Sequence, residues 1–75
     1  MKKKSPVQRQ KDGVRVLIEE AKIRNGFGDG ELSRYLGIAD RTLRERRADP
    51  GGITLDKLII IMELAGKEMK FVERT

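Results

Sequence analysis

The sequence predicts an all-α fold, a compact bundle of four or five helices built from a single 75-residue domain. Two observations carry that expectation. Apolar residues recur at three- and four-residue spacing in successive blocks, the period of a helix with one buried face. Between the blocks stand glycine, proline and short polar side chains of the kinds that stop one helix and cap the next.

The elements follow in order. Residues 1–13, MKKKSPVQRQKDG, hold little apolar material and read as a flexible basic arm. From residue 14 to 75 the pattern is that of a folded domain. Val14, Leu17, Ile18 and Ala21 form one helical face, with Arg15, Glu19, Glu20 and Lys22 outside it. Asp12 is the expected N-cap, and Asn25-Gly26 the stop. GFGDG, residues 26–30, lacks the strand, spacing and lysine of a phosphate-binding loop, and is read as a flexible connection with Phe27 folded onto the core. Asp29 or Gly28 then caps a short helix bearing the Leu32/Leu36 pair. Gly37 ends it in the left-handed conformation, Ile38 points inward, and Asp40 opens the next helix with a carboxylate at its positive end. That helix ends near Ala48, because Pro50 restricts Asp49 and Gly51-Gly52 completes the break. Thr54 caps the last helix, with Asp56 in its first turn. Leu55, Leu58, Ile59, Met62 and Ala65 make its core stripe, while Ile60, Ile61 and Leu64 exceed one face. Gly66 closes it. The end, KEMKFVERT, sets Met69 and Phe71 on one side of an extended segment and Lys70 on the other, as a short C-terminal strand or a clip across the core.

Composition narrows the function. The chain has no cysteine and no histidine. Disulfides, thiolate chemistry, Cys/His zinc sites and imidazole-dependent triads are therefore excluded. No carboxylate cluster has metal-loop spacing, and so short a chain can hardly enclose a substrate pocket. The expectation is a non-enzyme with no cofactor, no metal and no small-molecule substrate. No signal-peptide pattern or long apolar run is present, which with the missing cysteines points to the cytoplasm and away from a membrane.

The net charge is +5, and it is unevenly spread. Residues 1–12 carry Lys2, Lys3, Lys4, Arg9 and Lys11 against Asp12, a net +4. Residues 34–47 carry Arg34, Arg41, Arg44, Arg46 and Arg47 against Asp40 and Glu45, a net +3. Two separated basic regions suit a polyanionic partner. A soluble tail and a solvated helix account for the same charge count.

The middle of the chain, about 29–48, is thus a helix, a tight glycine turn and a second helix. From Val14 to Gly66 the chain resembles the lambda-repressor-like (Cro/CI-type, XRE) helix-turn-helix DNA-binding family, in particular small members from phages and mobile elements. Leu32, Ser33 and Gly37 match the family's leucine, small residue and turn glycine. Leu36, Ile38 and Leu43 match its apolar positions around the turn. The resemblance implies a lambda-repressor-like bundle that binds double-stranded DNA, as a homodimeric regulator of transcription, most simply a repressor of a phage-like or mobile-element operon. Two positions depart from the pattern. Arg46 stands where the wider family is usually apolar, its stem expected along the core edge with Pro50, Ile53 and Leu55 filling the gap. Asp29 and Glu31 open the first motif helix where many members present Gln, Ser or Thr to a phosphate.

With Leu43 in the core, the motif's second helix presents Asp40, Arg41, Arg44 and Glu45 as candidate base contacts, with Ala48 at the end of the stripe. Arginine can hold guanine O6 and N7 with two hydrogen bonds, and glutamate can accept from cytosine N4. Thr42, Arg34, Arg46, Arg47, Lys2, Lys3 and Lys4 are the candidate backbone contacts. The bland alternative for Arg41 and Glu45 is an i, i+4 surface pair. Three aromatics without basic interleaving disfavour recognition by base stacking, so Tyr35 and Phe27 are assigned to packing. The rival function is a protein-interaction module on the same fold, such as an antirepressor or a small phage inhibitor of a host defence nuclease. Asp29, Glu31 and Asp40 favour it; the arginine stripe favours DNA.

Overall fold

The computed structural model describes residues 5–73. Among them lie four α-helices, α1 (Pro6–Asn25), α2 (Asp29–Leu36), α3 (Asp40–Ala48) and α4 (Leu55–Leu64), with a 3₁₀ turn over Pro50–Gly52 between the last two. The all-α expectation holds. No strand occurs among the described residues, and the segment after Gly66 runs without regular structure to Glu73. Phe71, expected on a strand or a clip, is 91% exposed.

The core is a small knot contributed by every helix. Ile18 and Ala21 of α1, Leu32 and Leu36 of α2, Leu43 of α3, and Ile61 with Ala65 at the end of α4 are all buried. Val14, Leu17, Phe27, Ile38, Ile53, Ile60 and Leu64 close around them. Each fully buried Leu or Ile contributes about 1.5–3 kcal/mol. α1 packs mainly on α4, and α2 on α3.

Two expectations about the helices are corrected. α1 begins at Pro6, so residues 6–13 are its first two turns and not an arm. Ser5 caps it, its hydroxyl accepting from the Gln8 N–H at 3.1 Å, and Pro6 stands where its missing N–H costs nothing. Asp12 is not a cap; it accepts from the Gln8 amide at 3.0 Å and from Arg15 at 2.7 Å. The phase of α4 is also different. Ile61, Ile60 and Leu64 turn to the core, whereas Leu55 and Ile59, assigned to the core stripe, are exposed. Seven of the ten residues of α4 are apolar, so several helical stripes fit equally and only packing against α1 selects one.

The glycine turn forms as expected. Gly37 has φ 71°, the Gly37 N–H donates to the Arg34 carbonyl, and the Ile38 N–H donates to the Ser33 carbonyl at 2.9 Å. This left-handed residue brings α3 across the end of α2, and an added side chain there would be strained.

Candidate nucleic-acid interface

α3 owes its position to contacts at both ends and to one buried side chain between them. At its start, Asp40 accepts a hydrogen bond from the buried Ser33 hydroxyl of α2, which also lies 3.0 Å from the Gly30 carbonyl. In its middle, Leu43 fills the core. At its end, Arg15 of α1 donates Nε to the Arg47 carbonyl at 2.9 Å and Nη2 to the Ala48 carbonyl at 2.6 Å. Those carbonyls have no partner within the helix, so Arg15 closes the C-terminus of α3 with a positive charge at its negative end.

A charge cluster completes the seat. Arg47 meets Asp29 at the start of α2, Nη2 to Oδ1 at 2.5 Å. Lys22 of α1 reaches the same oxygen at 2.7 Å. Glu19 lies 3.5 Å from Arg47 Nε, close enough for an ion pair but not aligned as a hydrogen bond. The Arg47 hydrogen bond, then that from Lys22, holds the Asp29 carboxyl at about 2 against an ordinary 3.8. One cluster therefore ties three helices together through their charged ends.

The residues expected to contact nucleic acid divide accordingly. Arg41, Arg44 and Glu45 project from the far side of α3, all exposed. Arg41 Nε lies 3.5 Å from Glu45 Oε1, the i, i+4 pair, and the Arg41 side chain remains 86% exposed. Arg44 of α3 and Arg34 in the last turn of α2 are exposed and meet no carboxylate among the described residues. Asp40, exposed at the start of α3, accepts from the Ser33 hydroxyl. Arg47 is paired with Asp29 and Glu19, and its side chain is 29% exposed. Arg46 is half-buried, its guanidinium lying over Gly52 so closely that a Cβ there would come within 2.8 Å of it. Thr42 is half-buried beside Arg46 at the edge of a cavity behind α3. Leu55, expected to help fill the gap around Arg46, is 59% exposed instead. Lys2, Lys3 and Lys4 lie outside the described residues.

The acidic residues near this surface are also engaged. Asp29 is neutralised by two cations. Glu31 turns back onto its own helix, accepting from the Gly28 N–H at 3.1 Å, so both carboxylates serve the start of α2. Tyr35 and Phe27 pack on each other with ring centroids 5.9 Å apart. Arg15, Glu19 and Lys22 acquire roles that sequence reading did not assign. Arg15 reaches carbonyls more than thirty residues away, and no local pattern signals such a contact.

Among the described residues no helix is long and apolar enough to cross a membrane, and no group of carboxylates is placed to hold a metal. No protein-family model, curated protein or solved structure matches the chain.

Proposed function

We propose that this chain is a lambda-repressor-like helix-turn-helix protein that binds double-stranded DNA with sequence preference and acts as a homodimeric, cytoplasmic repressor of a phage-like or mobile-element operon. The observation that carries the reading is the outward face of α3. On a nine-residue helix whose Asp40 and Arg47 are engaged within the fold, Arg41 and Arg44 remain exposed, with Glu45 beside them and Ala48 leaving room at the end. A short helix with a polar ridge of that kind fits the major groove, where Arg44 and Arg41 would grip guanines and Glu45 a cytosine. Arg34, one turn before the glycine, is suited to a flanking phosphate. Pairing of Asp29 with Lys22 and Arg47 reduces the electrostatic objection. The activity needs no cofactor, and the proposal assigns the chain no catalysis.

Selection of bound duplexes from a random pool tests this reading. Enrichment of a palindromic site is the expected result. Recovery of the starting pool unchanged would reject sequence-specific binding and favour the protein-interaction role.

The homodimer contact is proposed on the outer side of α4 and the segment after it. Ile60, Ile61 and Leu64 are spent in the core, but Leu55 and Ile59 on the outer side of α4 are exposed, 59% and 47%, and so are Met69, Phe71 and Val72. A two-fold contact would cover such apolar side chains and set two copies of α3 about 34 Å apart, one DNA turn. Ile59→Lys should turn a dimeric species into a monomer in sedimentation at micromolar concentration. A wild-type protein that is already monomeric, with and without DNA, would refute the dimer.

A further inference from the structure

Behind α3 lies a cavity of about 120 Å³. Its floor is apolar, formed by the buried Ile18, Leu36, Leu43 and Ile61. Its edge holds the two half-buried cations Arg46 and Lys57. Neither side chain has a carboxylate or hydrogen-bonding partner among the described residues, whereas Arg15, Lys11, Lys22 and Arg47 are all paired. At the same edge, the Thr54 hydroxyl accepts from the Lys57 N–H at 3.3 Å as the cap of α4, which leaves its own proton available to an acceptor.

From this pairing of an apolar void with unpartnered cations we infer a binding site for a small monocarboxylate with a compact, branched aliphatic body. The size sets the body. A void of about 150 Å³ lined by Leu, Ile and Phe holds a benzene-sized guest, so this one suits about four or five carbons. The charge sets the head group. A planar guanidinium takes a carboxylate through two parallel hydrogen bonds, and an ammonium lining the same cavity adds a second positive charge. An uncharged guest of the same shape would leave both cations as they are, and a small anion without a body would leave the floor empty. Arg46 lines the cavity and lays its guanidinium over Gly52, so the space beside its stem stays open. The inference stands on the cavity and its edge alone and is independent of the reading of the outer face of α3.

The test is methyl nuclear magnetic resonance of the full chain at about pH 7, where carboxylates are ionised. The probes are 3-methylbutanoate, its amide and acetate. The expected result is saturable movement of the Ile18, Leu43 and Ile61 methyl signals by 3-methylbutanoate. Half-saturation on the order of a millimolar is expected for so few heavy atoms, with at least tenfold weaker effects from the amide and from acetate. Arg46→Met, which removes the cation and fills the gap, should abolish the response. Lys57→Gln, with the floor untouched, should weaken it several-fold. Equal responses to acid and amide, or shifts at surface cations without movement of the floor methyls, would overturn the inference.

Discussion

α3 carries four arginines, and they fall into two pairs with opposite fates. Arg41 and Arg44 stand in solvent. Arg46 and Arg47 are folded back, one over Gly52 and the other onto Asp29. Chemistry does not distinguish the pairs, and neither does local charge density. Their spacing from Leu43 does. Arg46 and Arg47 lie three and four residues after it, and Asp40 three before it, so all three share the side of the helix that Leu43 buries. Arg41 and Arg44 are two before and one after, on other sides. The residues in step with the buried leucine build the seat of the helix, and those out of step are free to face a partner. A count of arginines therefore overstates twofold the number that α3 leaves exposed.

Substitutions should separate the two pairs by what they damage. The largest effect on folding is expected from Arg47→Met, which removes the link between the ends of α2 and α3 and leaves Glu19 facing Asp29. A cost of about 1–2 kcal/mol follows for a half-buried, hydrogen-bonded pair. For a domain of this size that lowers the unfolding midpoint by roughly 5–10 °C in a thermal melt. A melt unchanged by Arg47→Met would erase the distinction between the pairs.

The same cluster gives a smaller, pH-dependent effect. Asp29 is held at about 2 in the folded chain against an ordinary 3.8, chiefly by Arg47 and then by Lys22. A depressed folded value means that the carboxylate stabilises the fold at neutral pH and that this contribution is lost as pH falls from about 4 through 2. Because the side chain is 41% exposed, solvent screening reduces its worth to about 1 kcal/mol. Denaturant titrations across that range should show the loss, and Asp29→Asn should flatten it. An equally steep acid loss in Asp29→Asn would place the sensitive group elsewhere. Asp49, held below its ordinary value by Lys11 and then by the Gly51 N–H, is the next carboxylate to replace.

The smallest effect sharpens the comparison from the solvent side. Glu45→Gln removes the partner of Arg41 in an exposed i, i+4 pair, worth about 0.2–0.5 kcal/mol. The melt should barely move, while a change of base preference at one position of the bound duplex is expected. A large loss of stability in Glu45→Gln would show that this face serves the fold after all.

Much of this arrangement was legible in the chain. The motif helices, the left-handed Gly37, the Thr54 cap and the burial of Leu32, Leu36 and Leu43 all follow from short-range rules, and each is found. The start of α1 was legible too, since Ser5-Pro6 is a strong helix-opening pair. Gly13 and the dense positive charge concealed it, because composition spoke for a disordered arm where local capping chemistry spoke for a helix. The phase of α4 was not legible. A helix that is apolar nearly all round has no preferred face until α1 presents one. The cluster of Glu19, Lys22, Asp29 and Arg47 was out of reach for a similar reason, since it is made only when three helices have met. The internal partners of Asp40 and Arg47, in contrast, lie on the side that spacing from Leu43 assigns to them.

The most direct measurement compares Arg44→Ala with the parent chain on an enriched duplex and on random-sequence duplex at one salt concentration. Arg44 makes no hydrogen bond or ion pair among the described residues, so the melt should be unchanged. Affinity for the enriched site should fall by about 1–3 kcal/mol, on the order of tenfold or more, with little loss on random duplex. Equal losses on both duplexes would contradict base reading by the outer face of α3, and no loss on either would remove that face from DNA binding altogether.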